Sequence, residues 1–132
     1  MAHAAAWLML LGLLTGGYVA AAMTGKVPAD PQTALAAHLA ALMGTFFLLG
    51  VGWTLPMLRY GPVGQQRLAW LVIVANFANW AVTSVKAWLH VAGIDYMGQG
   101  TNDAVFLILT VTVVAPVLAA SAAWVYGFRR AH

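Results

Sequence analysis

The sequence predicts an all-α integral membrane protein, built as an antiparallel four-helix bundle. Of its 132 residues, 63% are hydrophobic and only 7% are charged, and the mean hydropathy is +0.85. A water-soluble domain of this length has too little interior to hide so much apolar surface. Several stretches also reach the length of about 20 residues that a helix needs to cross a bilayer. We therefore expect a multi-pass protein in the inner (cytoplasmic) membrane.

The predicted helices cover residues 4–23, 34–58, 68–91 and 104–128 of a single domain that spans 1–132. Short connections make consecutive helices antiparallel. The first stretch is interpreted as a retained helix, because no Lys or Arg precedes its apolar run. Small residues repeat every four positions on three helices and predict close helix contacts: Gly12 and Gly16; Ala36, Ala40 and Gly44; Ala115, Ala119, Ala123 and Gly127. Pro116 is expected to kink the last helix.

Composition and charge exclude several classes of protein. The chain has no Cys, which removes disulfides, thiolate chemistry and Cys-ligated metals. Six Lys and Arg residues are too few for a surface that follows nucleic-acid phosphates. The positive charge is better interpreted as a topology signal, since Lys and Arg concentrate in cytoplasmic loops.

The basic and acidic side chains separate between alternate loops. Four arginines lie in the second loop or after the last helix: Arg59, Arg67, Arg129 and Arg130. The first and third loops hold all three acids, Asp30, Asp95 and Asp103, and Lys26. This distribution predicts that both termini and the second loop are cytoplasmic.

The third predicted helix carries a polar stripe on an otherwise apolar surface. Residues 67–91 read RLAWLVIVANFANWAVTSVKAWLHV. A charged side chain that faces lipid at the centre of a spanning helix costs roughly 2.5–3.5 kcal/mol, so we expect the stripe to face the protein interior. At about 100° per residue, five polar side chains fall within one arc narrower than a quarter turn: Asn76, Asn79, Thr83, Lys86 and His90.

His38 lies inside the second predicted helix. When the ends of the second and third helices are aligned, His38 lies level with Lys86. Thr45 points the same way as His38 and lies level with Asn79. These depths predict a polar pocket between the two helices, in the outer half of the membrane. Asn79, Thr83 and Thr45 are its candidate catalytic residues.

The residue types restrict what such a pocket could hold. No helix contains a carboxylate and no two histidines are one turn apart, so a zinc or di-iron site has too few ligands. A nucleophilic triad and a proton relay both lack an acid. A haem stays possible, because one imidazole is sufficient as a proximal ligand. From the residues alone, His38 is either a structural hydrogen-bonding residue or such a ligand, and Lys86 either reaches the surface or pairs with a propionate.

Two segments carry a resemblance to a known family. They read AAHLAALMGTFFLLGVGWTLPML and VANFANW, and the similarity extends over about residues 34–128. The family is that of small four-helix membrane isomerases comprising hydroxylaminobenzene mutase and styrene oxide isomerase, and the AHL and ANW variants look closer to the mutase branch. The matching motifs are Ala37-His38, Leu55-Pro56, Ala78-Asn79 and Asp103.

This resemblance implies a ferric haem b held by His38 as metal ligand, at a subunit interface of a homotrimer. The iron would act as a Lewis acid on a small apolar aromatic substrate. An epoxide would become a carbonyl compound, or an aryl hydroxylamine would rearrange to an aminophenol. Lys86 would bind the charged edge of the haem, and four aromatic residues would line the pocket: Phe46, Phe47, Phe77 and Trp80.

Three residues, at two sites, depart from the family's pattern. Gly44 and Thr45 stand where the family usually has Asn-Gly, and Thr83 stands where styrene oxide isomerases have Tyr.

Two other functions are also compatible with the sequence. One is a haem-binding electron-transfer or sensor membrane subunit without isomerase activity. The other is a structural membrane protein whose stripe supplies interhelical hydrogen bonds.

Overall fold

The computed structural model describes residues 1–95 and 97–129, and every regular element in this part of the chain is helical. Its four spans are each long and apolar enough to cross a membrane, which confirms the predicted four-helix membrane bundle. Arg130, one of the four arginines that predict the topology, lies outside the described residues, as does His132. The spans are α1, Ala2–Met23; α2, Pro31–Thr54, extended by a 3-10 turn at Leu55–Met57; α3, Pro62–Leu89; and α4, Gly100–Gly127.

α2 and α3 begin earlier than the sequence analysis predicts, because each starts on a proline. Pro31 and Pro62 occupy the first helical position, where a missing N–H costs no hydrogen bond. Asp30 caps α2 by accepting a hydrogen bond from the backbone N–H of Thr33 at 2.9 Å. His90 caps the C-terminal end of α3: its φ of 54° is left-handed, and its N–H bonds back to the carbonyl of Lys86.

The seam between α1 and α2 is built from small residues. A side chain on Gly12 would place its Cβ 2.8 Å from the Cβ of Ala41, so only glycine permits this approach. The predicted ladder on α2 is partly wrong, because Ala36 is exposed and Ala40 is half-buried. The buried line is shifted round the helix to Ala34, Ala37, Ala41 and Gly44.

α4 packs mainly against α3 and is the least buried of the four spans. It consists of two α-helical segments, Gly100–Leu109 and Ala115–Gly127, joined by a π-helical turn at Thr110–Val114. The N–H of Ala115 bonds to the carbonyl of Thr110, five residues earlier. Pro116 follows directly, so the irregularity falls where the proline removes a backbone donor.

The two ends of the bundle differ in charge. We call the end with the α2–α3 loop and the end of α4 the arginine end, because Arg59, Arg67 and Arg129 lie there. The opposite end, with the first and third loops, is the aspartate end. There the N–H of Asp30 bonds to the carbonyl of Ala87 at 2.8 Å and ties the first loop to α3.

Candidate functional site

His38 lies in the seam between α1 and α2. It is about two turns into α2 from the aspartate end, and it contacts Gly12 and Gly16 in the middle part of α1. Its Nδ1–H donates to the carbonyl oxygen of Gly12 at 2.6 Å, because a carbonyl can only accept. A Cβ on Gly16 would lie 3.4 Å from the Cε1 of His38, so the ring rests against a glycine surface. The side chain is half-buried. In the neutral imidazole with the proton on Nδ1, Nε2 keeps its lone pair.

His38 does not face α3, in contrast to the predicted pocket. Gly44 is the α2 residue that packs against Asn76 of α3, with the built Cβ only 2.7 Å from Oδ1. Six residues separate His38 from Gly44, which places them about 120° apart round α2. On α1, Thr15 contacts Trp80 of α3, whereas Gly16 contacts the ring of His38. His38 therefore lies on the flank of the α1–α2 seam that points away from α3.

The depth alignment of α2 with α3 also needs a correction of about one helical turn. Alignment of the helix ends predicts that Thr45 lies level with Asn79, but Gly44, the residue before Thr45, packs against Asn76. Thr45 is buried and its Oγ1 donates to the carbonyl of Ala41 in its own helix at 2.8 Å. Its hydroxyl is thus committed within α2, where it does not reach towards Asn79.

The polar stripe of α3 divides between two roles. Asn76 is buried between α2 and α3, and its Nδ2 donates to the carbonyl of Val72 at 2.8 Å. Asn79 is half-buried, and its Oδ1 accepts from Oγ1 of the buried Thr83 at 3.4 Å. This contact orients the Asn79 amide so that Nδ2 remains as a donor. Asn76 is therefore a packing residue, whereas Asn79 offers a polar group at the protein surface.

Asn79 lies on the side of α3 that is remote from α1. Trp80, the next residue, points to α1, where its Nε1–H donates to Oγ1 of Thr15 at 2.8 Å. Successive helical residues are about 100° apart, so Asn79 points towards the opening between α2 and α4. Asn79 and His38 consequently occupy different flanks of one protomer. Within a single chain they do not line a common pocket.

Lys86 shares the flank of Asn79, because seven residues correspond to nearly two turns. Its aliphatic stem lies beside Gly93 of the third loop, where a Cβ would come within 3.7 Å of Cδ. Lys86 is half-buried. The stem is thus covered by the loop, an arrangement that keeps a long basic side chain near the membrane boundary.

His90 serves the aspartate end rather than the seam that holds His38. Its Nε2–H donates to the carbonyl of Pro28 and joins the first loop to the end of α3. In the same region Thr33 donates side-chain and backbone hydrogen bonds to Asp30, and these lower the pKa of that carboxyl below its ordinary value. The charged form of Asp30 is therefore favoured at neutral pH.

The four predicted aromatic residues do not gather round one pocket. Phe46 is exposed on the free face of α2. Phe47 packs against Trp124 of α4, with ring centroids 5.9 Å apart. Phe77 lines a groove between α1 and α3, and Trp80 lines its continuation. Within one chain, these rings supply packing on three different surfaces.

Sequence reasoning missed Asn102, the residue that organises the third loop. It is almost fully buried, its Oδ1 accepts from the N–H of Gly93 at 2.9 Å, and its Nδ2 donates to the carbonyl of Asp95 at 2.8 Å. The neighbouring Asp103, which the resemblance singled out, accepts from the N–H of Met97 at 3.0 Å. The sequence signal for this role is the pair Asn102-Asp103, an amide followed by an acid in the first turn of a helix that follows a glycine-containing loop. Such side chains often bond to nearby backbone groups.

Among the described residues, no three His, Asp or Glu side chains converge as a metal-binding group. The fold and the site define a polytopic α-helical membrane protein that presents one histidine and one amide on separate helix flanks.

A family model described as styrene oxide isomerase matches residues 1–129, so the chain belongs to the styrene oxide isomerase family. It is accordingly an isomerase, of the styrene oxide type, and a multi-pass membrane protein. Searches of curated proteins and of solved structures gave no match.

Proposed function

We propose that this isomerase uses a ferric haem b held by His38 to isomerise a small apolar aromatic epoxide, with aryl hydroxylamine rearrangement as the related reaction of the mutase branch. The observation that carries the proposal is the hydrogen bond from His38 Nδ1 to the Gly12 carbonyl. Histidines that ligate metals usually donate their other ring N–H to such a partner, which fixes the tautomer and the ring orientation. Nε2 is then the free donor atom.

The surroundings of His38 fit a flat, apolar group. Gly16 offers a backbone surface beside the ring, and Gly17 has open space where a side chain would be. On the adjoining face of α2, Leu35 and Leu39 are exposed. A planar macrocycle could approach this seam without displacing a packed side chain. When bound, the ferric haem would supply a Lewis acid that withdraws electron density from a substrate oxygen.

Two histidines as axial ligands would indicate an electron carrier instead. His90 is bound to Pro28 at the end of the bundle, and this commitment favours a single histidine ligand. A single ligand leaves the opposite iron position for a substrate, as an isomerase requires. The alternative of an electron-transfer or sensor subunit is thus the weaker candidate.

We propose that Asn79 is the polar contact of this chain for the substrate oxygen. In the epoxide reaction one C–O bond opens, a hydrogen moves with its electron pair to the adjacent carbon, and the oxygen becomes a carbonyl oxygen. Atoms and electrons are conserved, so no external reductant is needed. The Nδ2–H of Asn79, oriented by Thr83, can donate to the oxygen as its negative charge grows. Apolar walls would exclude the water that would otherwise form a diol.

The separation of His38 from Asn79 supports assembly of the site between subunits. If the histidine flank of one copy meets the asparagine flank of the next, each contact joins two different surfaces. Such heterologous contacts close into rings rather than two-fold dimers, and a homotrimer is the ring we propose. Lys86 lies on the asparagine flank, so it would bind a propionate of the haem held by the neighbouring copy.

The first experiment is the absorption spectrum of the purified chain, combined with an assay of styrene oxide isomerisation. We expect a Soret band typical of high-spin, five-coordinate ferric haem, and formation of phenylacetaldehyde without added reductant. A six-coordinate low-spin spectrum without turnover would favour the electron-transfer alternative. Absence of a Soret band from protein produced with haem supplied would contradict the cofactor proposal.

A further inference from the structure

The arginine end of the bundle contains a fixed corner between the α2–α3 loop and the end of α4. The N–H of Arg59 donates to the carbonyl of Gly127 at 3.1 Å, and the hydroxyl of Tyr60 donates to the carbonyl of Ala123 at 2.6 Å. A Cβ on Gly127 would lie 2.9 Å from the Tyr60 ring. Only glycine therefore allows the loop to lie this close to α4, so the corner is preformed.

Two arginines meet at one aromatic ring in this corner. The guanidinium carbon of Arg59 lies 3.9 Å from the ring centroid of Tyr126, and that of Arg129 lies 5.6 Å from it. Every acidic side chain of the sequence is at the other end of the bundle. Two like charges are thus held together without a carboxylate from an acidic residue to neutralise them. This arrangement fits a ligand with a negative charge.

An apolar groove of about 840 Å³ runs along α4 from Arg129 and the Tyr126 ring into the membrane-spanning part. It is open at the side, and α4 is the least buried span. The lining residues that matter here are Leu118, Ala122 and Val125, with Tyr60, Tyr126 and Arg129 at the end. A ligand for this surface needs a hydrocarbon part and an anionic end at the depth of the lipid headgroups.

We propose that this corner binds an anionic phospholipid. The headgroup phosphate would contact Arg59 and Arg129, and one acyl chain would lie in the groove along α4. Arginine suits this role because its planar guanidinium donates two hydrogen bonds to a phosphate. The Tyr126 ring makes cation–π contacts with both guanidinium groups. Its position at the end of a span is typical of aromatic residues at a membrane interface. The site is independent of the isomerase site at His38.

The test compares binding of phosphatidylglycerol and phosphatidylcholine, with identical acyl chains, to the purified full-length protein by native mass spectrometry. We expect the parent chain to prefer the anionic lipid. Arg59→Gln and Arg129→Gln should each weaken that preference about tenfold, the usual effect of losing one charge-assisted contact. Arg67→Gln is the matched control, because Arg67 is an exposed arginine at the same end but outside the corner. It should keep the preference.

Four outcomes would overturn the proposal. The first is equal binding of both lipids by the parent, and the second is an equal loss of preference in Arg67→Gln. The third concerns a second copy of the chain as occupant. Because the protein has no cysteine, Ala122→Cys introduces a single thiol in the groove. Efficient disulfide cross-linking between copies in bilayers would show that protein covers this face. The fourth is displacement of the lipid by glycerol phosphate alone, because the groove would then have no role in binding.

Discussion

The Nδ1 of His38 lies 2.6 Å from the carbonyl oxygen of Gly12, and this contact joins α2 to α1 at the point where glycine brings the two helices together. In a helix the Gly12 carbonyl accepts from the N–H of Gly16, four residues later. The imidazole therefore adds a second donor to a backbone acceptor that has two lone pairs. The contact fixes one tautomer of the ring. It therefore determines which nitrogen remains available for a ligand.

Replacement of His38 tests this relationship directly. We expect His38→Ala to purify as a folded protein that has lost its haem or shows an altered Soret band, because Nε2 is the proposed ligand atom. His3→Ala and His90→Ala are controls. His3 accepts a hydrogen bond from Trp7 in the first turn of α1, and His90 donates to Pro28 in the loop, so both variants should retain the parent spectrum. An unchanged spectrum and full haem content in His38→Ala would refute the ligand assignment.

The four spans could be predicted because apolar length is a property of each segment alone. The predicted starts of α2 and α3 are too late, because these helices begin at Pro31 and Pro62. A proline can open a helix or break one, and the sequence alone does not show that these two prolines occupy the first helical position. The flank on which His38 lies could not be predicted. It depends on how α2 is rotated against α1, and that rotation is set by the contact of Gly12 with Ala41.

The depth error has a related cause. Aligning α2 with α3 by their ends assumes that both helices begin and end at one membrane level, whereas the loops offset them by about one turn. The polar stripe could be predicted as a group, but periodicity cannot tell which members are buried. Only the packing of Asn76 against Gly44 assigns Asn76 to the interior and leaves Asn79 at the opening.

Asn79 and Lys86 should affect different properties of the enzyme. Asn79→Leu removes the proposed donor to the substrate oxygen, so kcat/KM should fall about tenfold or more while haem content stays near normal. Thr83→Val removes only the hydroxyl that orients the amide and should cause a smaller loss. Lys86→Met should weaken haem retention by roughly 1–3 kcal/mol, the range for a charge-assisted hydrogen bond.

Steady-state kinetics and haem titration of the apoprotein measure these two effects separately. Lys26→Met is the control for loss of one positive charge, because Lys26 is exposed in the first loop. If Asn79→Leu turned over substrate normally and Lys86→Met held haem as tightly as the parent, the stripe would serve helix packing alone.

The contact between Trp80 and Thr15 should contribute modestly to stability. Interhelical hydrogen bonds in membranes average about 0.6 kcal/mol and reach about 1.7 kcal/mol. A double-mutant cycle of Thr15→Val and Trp80→Phe, with the free energy of unfolding measured in mixed detergent micelles, should give a coupling in that range. Thr112→Val is the matched control, because this half-buried threonine bonds only to the carbonyl of Ile108 in its own helix among the hydrogen bonds described. The coupling energy between Thr112→Val and Trp80→Phe should be near zero. If the coupling energy between Thr15→Val and Trp80→Phe were also zero, the contact would make no contribution to the free energy of unfolding.

The segregation of charge between the two ends predicts the orientation in the membrane. Reporter fusions at Arg67 and at His132 should give cytoplasmic signals, and a fusion at Asp95 should give an external one, because Lys and Arg are retained on the cytoplasmic side. Exchanging charge provides the control. Arg59→Glu combined with Arg67→Glu should reduce the fraction with the expected orientation. An external signal at His132 in the parent chain would contradict the proposed topology.

Mixed subunits provide the sharpest test of a site shared between copies. His38→Ala and Asn79→Leu should each be inactive or nearly so when produced alone. If one site combines His38 of one copy with Asn79 of the next, random assembly of the two variants in equal amounts restores both groups at about a quarter of the contacts. Coexpression should therefore recover about a quarter of the parent activity per subunit.

The control for this recovery must contain no parental contact. A mixture of the double variant with the parent chain is unsuitable, because contacts between parent chains would contribute activity of their own. Instead, His38→Ala coexpressed with a chain carrying both substitutions is the control, and it should stay inactive since no intact His38 is present. Inactivity of the His38→Ala and Asn79→Leu mixture, with both variants incorporated in the same oligomers, would show that the two groups do not act across a subunit contact.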